Sequence, residues 1–122
     1  MPVRSLITAV LKWPDAETVA RSLRRWAEEL VRSAAGVVAV GYFGSYARGD
    51  WGVGSDLDVV VVLEESTEPF ERRAARLDAT GLPVPADVLV YTRAEWDGLR
   101  APPRDVQWVV GASPVTQSPR PG

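Results

Sequence analysis

The sequence contains no cysteine and no histidine. The first absence excludes disulfides, thiolate nucleophiles and cysteine-bound zinc. The second excludes Ser-His-Asp and Cys-His catalysis, imidazole acid–base work and every histidine-containing metal site. Any chemistry must fall to Asp, Glu, Arg, Ser, Tyr or the backbone. Any metal must be a hard, oxygen-seeking ion such as magnesium, manganese or calcium. Lysine and side-chain amides are scarce as well. Lys12 is the single lysine, Gln107 and Gln117 are the only glutamines, and asparagine is missing. A thermophile or a GC-rich genome would each produce that bias. A formal net charge of −2 argues against nucleic acid as the main partner, since such binding usually leaves a basic footprint. No apolar run approaches the length of a membrane span. The start Met1-Pro2-Val3-Arg4 lacks the long apolar region and small-residue cleavage site of a signal peptide, so a cytoplasmic protein is expected. What is present, 122 residues that are 46% hydrophobic and 25% charged, suits one ordinary core. We read residues 1–117 as a single domain and 118–122 as a frayed tail.

The order of elements follows from periodicity. Residues 4–12 fit a short helix or a strand. Asp15 reads as an N-cap, and Val19, Leu23, Trp26, Leu30 and Ala34 form one apolar helical stripe that Gly36 ends. Val37 to Phe43 is a β-branched and aromatic run, hence a strand. Asp56 to Leu63 is a second strand, apolar enough to be buried on both faces. Thr67 to Ala79 reads as a second amphipathic helix, Pro83 to Thr92 as a third strand and Arg93 to Leu99 as a short helix. A last helical turn is expected within 103–110, before a brief strand near 112–116. The whole predicts an α/β or α+β sandwich, a mixed sheet of three to four strands flanked by helices.

The chemistry concentrates in Gly44-Ser45, ten intervening residues, Asp56-Leu57-Asp58, and Asp87 further on. Residues two apart on a strand share a face, so Asp56 and Asp58 lie ~7 Å apart with Leu57 turned away. Paired carboxylates at the edge of a buried strand are costly unless something neutralises them, and a divalent cation does so directly. The span between the first two strands is short and holds three glycines, which favours an antiparallel pair and sets Gly44-Ser45 beside Asp56. The longer connection to the third strand allows a parallel crossover, which brings Asp87 to the same end. Such a spot suits phosphoryl or nucleotidyl transfer with two metal ions. The Gly44-Ser45 turn and the Ser45 hydroxyl could hold triphosphate oxygens. Arg48 could pair with a terminal phosphate, or simply with Asp50.

Gly44-Ser45-Tyr46-Ala47-Arg48-Gly49 followed by Gly54-Ser55-Asp56-Leu57-Asp58-Val59-Val60-Val61 resembles the nucleotidyltransferase signature of the DNA polymerase beta superfamily. In its short length the chain is similar to the minimal nucleotidyltransferases, over residues 15–116. The resemblance implies Asp56 and Asp58 as metal ligands, with Asp87 as a third carboxylate that ligates metal and helps deprotonate an acceptor hydroxyl. It implies Gly44 and Ser45 as triphosphate-binding residues and magnesium, replaceable by manganese, with ATP as donor of AMP. It also implies a partner, because minimal nucleotidyltransferases are commonly encoded beside a small helical HEPN protein, typically a ribonuclease toxin. Some members silence that toxin by placing AMP on a tyrosine hydroxyl. The chain lacks the additional acceptor-gripping domain of nucleotidyltransferases that act on antibiotics or RNA. A vestigial pocket that merely masks a partner stands as the alternative, and self-association stays open. Trp51, in the loop between the two halves of the motif, reads either as a partner-contacting residue or as an anchor on the core.

Overall fold

The computed structural model describes residues 14–111. Helix α1 spans Ala16–Ser33 and begins where expected, with the Thr18 N–H donating to the Asp15 carboxylate at 2.8 Å. Its buried row is Val19, Leu23 and Ala27, while Trp26 and Leu30 flank that row half-buried. Strand β1 (Val37–Phe43) pairs antiparallel with β2 (Leu57–Leu63), and β2 pairs parallel with β3 (Ala86–Thr92). Both orientations agree with the loop-length argument. The short helix α2 (Ser45–Arg48) follows β1, and α4 (Arg93–Asp97) follows β3 through a capping box between Thr92 and Glu95. With a fourth strand, β4 (Gln107–Val110), the sheet order is β3-β2-β1-β4.

Strand β2 lies at the centre of the molecule. Leu57 and Val59 through Val62 are fully buried, as an apolar run covered on both faces requires. One face of the sheet, with Val40, Val59 and Val61, packs under Val19, Leu23 and Ala27 of α1. The other face, with Ala39, Val60 and Val62, packs on an aromatic group made by Trp96, Tyr91 and Trp108. Gly41 in the middle of β1 makes that packing possible. A Cβ there would meet the Trp108 ring, Val106 and the Gln107 carbonyl at 2.9 Å.

Two expected elements differ. The helix read over Thr67 to Ala79 is a single turn, α3 (Phe70–Arg73), continued by a 3-10 turn Ala74–Arg76. Local hydrogen bonds win over propagation there. The Asp78 carboxylate accepts from the Thr80 N–H and hydroxyl, and the Asp78 carbonyl accepts from the Trp26 indole at 2.8 Å. The helical turn expected within 103–110 is instead strand β4 (Gln107–Val110), antiparallel to β1. Its β-branched and aromatic residues fill the open edge of β1, with Val109 buried. The expected elements at 4–12 and 112–116, and the tail at 118–122, lie outside the described residues.

Candidate active site

The site forms where β1 ends and where β2 and β3 begin. Gly44 caps α2 with φ 79 and ψ −150, a left-handed backbone that disfavours any side chain. It has a second reason to be glycine: a Cβ at this position would run into the Asp58 carboxylate. The turn and the aspartate are thus packed directly against each other. The Ser45 hydroxyl beside them makes no hydrogen bond to the described residues. The Gly52–Ser55 turn feeds the chain into β2, with the Gly52 N–H donating to the Ser55 hydroxyl at 2.7 Å and the Ser55 N–H to the Gly52 carbonyl at 2.9 Å. The Leu57 N–H then donates to the Pro85 carbonyl at 2.8 Å, which locks the start of β2 to the approach of β3. Within the ladder Asp58 stands opposite Asp87 and Phe43 opposite Asp58.

A cavity of about 540 Å³ opens over this corner, lined by Phe43, Gly44, Ser45, Arg48, Ser55, Asp56, Asp58, Arg104 and Asp105. The structure therefore gathers Gly44, Ser45, Arg48, Asp56 and Asp58 at one opening. Asp87 sits beside Asp58 in the sheet without lining that cavity. Asp56 and Asp87 are exposed and Asp58 is half-buried. Burial pushes the Asp58 carboxyl above the ordinary range, and the negative charges of Asp87 and then Asp56 push it further, with Arg48 pulling weakly the other way. Arg48 itself donates to both oxygens of Asp50, at 3.2 and 3.4 Å.

The donor set is carboxylate and hydroxyl oxygen throughout, which fits a hard divalent cation such as magnesium. Among the described residues no three acidic side chains stand ready as a metal ligand set. An ion would meet Asp56 and Asp58 first, and a third carboxylate would have to turn to join them. Trp51 stacks on buried Tyr46 with ring centres 5.4 Å apart and planes 9° from parallel, so it anchors the inter-motif loop on the core. Sequence reasoning missed Arg104 and Asp105. They belong to no motif, and only the return of β4 along β1 brings them to the cavity.

This is the geometry of a nucleotidyltransferase domain. Residues 23–107 match the family model described as the nucleotidyltransferase domain, and the chain belongs to that family. No curated protein matches the sequence. Among solved structures, a candidate nucleotidyltransferase from Sulfolobus solfataricus is similar with a TM-score of 0.61 and 22% identity, over 76% of this chain and 80% of that one. That likeness shows the fold. A toxin–antitoxin with AMP-PNP gives a TM-score of 0.46 and 15% identity over 77% of each chain, too loose a likeness to argue from. No helix among the described residues is long and apolar enough to cross a membrane.

Proposed function

We propose that this domain transfers AMP from ATP to a hydroxyl on a helical HEPN-type toxin and so acts as its antitoxin. The observation that carries the reading is Asp58, packed against the Gly44 turn and carrying like charge from Asp87 beside it in the ladder and from Asp56, at the edge of an open cavity. Such crowding raises the cost of the folded state and makes sense as a site completed by cationic charge. Asp56 and Asp58 would hold magnesium, with Asp87 joining them. Bound there, magnesium supplies positive charge that lets triphosphate and carboxylates approach one another. The Gly44-Ser45 turn and the free Ser45 hydroxyl would receive triphosphate oxygens. The acceptor oxygen bonds to the α-phosphorus as the bond to the bridging oxygen of pyrophosphate breaks. Asp87, exposed beside Asp58, takes the proton that the hydroxyl gives up.

The acceptor side rests on the resemblance to minimal nucleotidyltransferases and on the shape of the site. The cavity is wide and lies at one end of the sheet, open to a docking macromolecule. The loop between the motif halves carries Val53, 61% exposed. Co-expression with a HEPN-type helical toxin, followed by intact-mass measurement of that protein, tests the proposal. One or more added AMP masses, lost with Asp58→Ala, support it. A stable complex without added mass would favour the masking role, a reading helped by the absence of a ready three-carboxylate set among the described residues. No association and no modification would remove the antitoxin assignment.

A further inference from the structure

The cavity has a wall that the sequence motif does not supply. Antiparallel pairing of β4 with β1 sets Gln107 opposite Tyr42. The residues just before Gln107 are thereby delivered past Phe43 to the Gly44 turn, and Arg104 and Asp105 line the cavity there. Two arginines face the opening, and they are not equivalent. Arg48 donates to both carboxylate oxygens of Asp50. Arg104 is exposed and makes no hydrogen bond or ion pair with the described residues.

The lining otherwise carries Asp56, Asp58 and Asp105, with Asp87 adjacent to Asp58. A nucleoside triphosphate entering this corner brings further negative charge. It needs a cation that does not first have to abandon a carboxylate, and Arg104 meets that condition where Arg48 does not. A guanidinium also offers paired N–H donors matched to phosphate oxygens. We propose that Arg104, from the loop before β4, is the arginine that contacts the phosphates of the bound nucleotide, while Arg48 chiefly ties the end of α2 to Asp50. This deepens the nucleotidyltransferase reading above and rests on it.

The test is nucleotide binding, which needs no acceptor. A non-hydrolysable ATP analogue with magnesium is titrated by calorimetry into the wild-type chain, Arg104→Ala, Arg104→Lys and Arg48→Ala. Arg104→Ala is expected to weaken binding about tenfold or more, as loss of a charge-assisted contact implies. Arg104→Lys should recover part of that loss, and Arg48→Ala should change the affinity by less than about threefold. With AMP in place of the triphosphate analogue the Arg104→Ala penalty should shrink, because fewer phosphates remain to be met. Melting temperature should not move, since Arg104 has no partner among the described residues to lose. Undiminished binding by Arg104→Ala, a larger loss in Arg48→Ala, or an equal penalty for AMP and triphosphate would each overturn the assignment. A wild-type chain that binds no nucleotide would instead overturn the nucleotidyltransferase reading, and this proposal with it.

Discussion

The two ends of the parallel β2–β3 pair treat acidic side chains in opposite ways. At the far end Glu95 and Glu64 each have an arginine partner. The Arg73 guanidinium, 7% exposed, donates to both oxygens of Glu95 at 2.5 and 3.0 Å and also to the carbonyls of Glu68 and Val90. Glu95 further accepts from the Thr92 N–H at 2.9 Å. Glu64 pairs with Arg93 at 3.2 Å. At the near end Asp58 has two other aspartates for neighbours and no hydrogen-bonded cation. The Arg73 hydrogen bonds, followed by that of Thr92, pull the Glu95 carboxyl down to about 2, whereas burial and like charge push Asp58 up. The same functional group thus stabilises one end of this strand pair and strains the other. The satisfied end holds the strands in register, and the strained end is what that register positions.

The contrast can be broken at the near end with the largest effect on activity. Asp58→Asn removes the charge and keeps the shape. Nucleotidyl transfer should fall by about a thousandfold or more if the residue holds cationic charge at the reacting phosphate. The melting temperature should hold or rise, because like-charge repulsion is relieved. Transfer assays and thermal unfolding on the same preparation check both arms. A variant that unfolds early would show that Asp58 is structural.

Breaking the far end should do the reverse. Arg73→Met deletes a buried cation that serves Glu95 and two backbone carbonyls, and unfolding in urea should show a loss of about 3 kcal/mol. Arg76→Ala sharpens the point. Its pair with Glu68 is also short, 2.7 Å, but the arginine side chain is 72% exposed, so the cost should stay below about 1 kcal/mol.

The smallest effect is in acid. Glu95 titrates near 4.5 when unfolded and at about 2 when folded. Its contribution to stability is therefore complete above about pH 5 and fades as the pH falls toward 2. The carboxylate is 42% exposed, so the contribution is modest. Denaturant midpoints measured at steps between those limits should fall, and Glu95→Gln should flatten the fall while lowering the plateau above it.

Much of this arrangement was legible in the sequence, because hydrophobic alternation and loop length are local quantities. The run from Val59 to Val62 announced a doubly covered strand, and the glycines between Gly49 and Gly54 announced a tight return. The tight return set Gly44-Ser45 beside Asp56, and the longer crossover before β3 brought Asp87 to the same end; that Asp58 rather than Asp56 packs on Gly44 is seen only in the structure. What escaped was long-range. Arg73 turns inward, away from its exposed neighbours Arg72 and Arg76, because Glu95, 22 residues on, offers it a carboxylate. The Trp26 indole captures the Asp78 carbonyl, 52 residues away, just past the shortened helix. Arg104 reaches the cavity only because β4 closes the edge of β1. None of these pairings leaves a periodic trace.

The facing of Asp58 and Asp87 across the parallel ladder also constrains how such a chain can change over time. Successive side chains along β3 alternate between the α1 side of the sheet and the aromatic side. Inserting one residue between Asp87 and the buried Val90 would move the acid to the opposite surface or expose an apolar side chain in its place. Two residues would restore the alternation, so within this strand length can vary only in even steps. The exposed turn at Thr80 and Gly81 obeys no such parity, and there the crossover is free to lengthen or shrink while the chemistry at its end stays where it is.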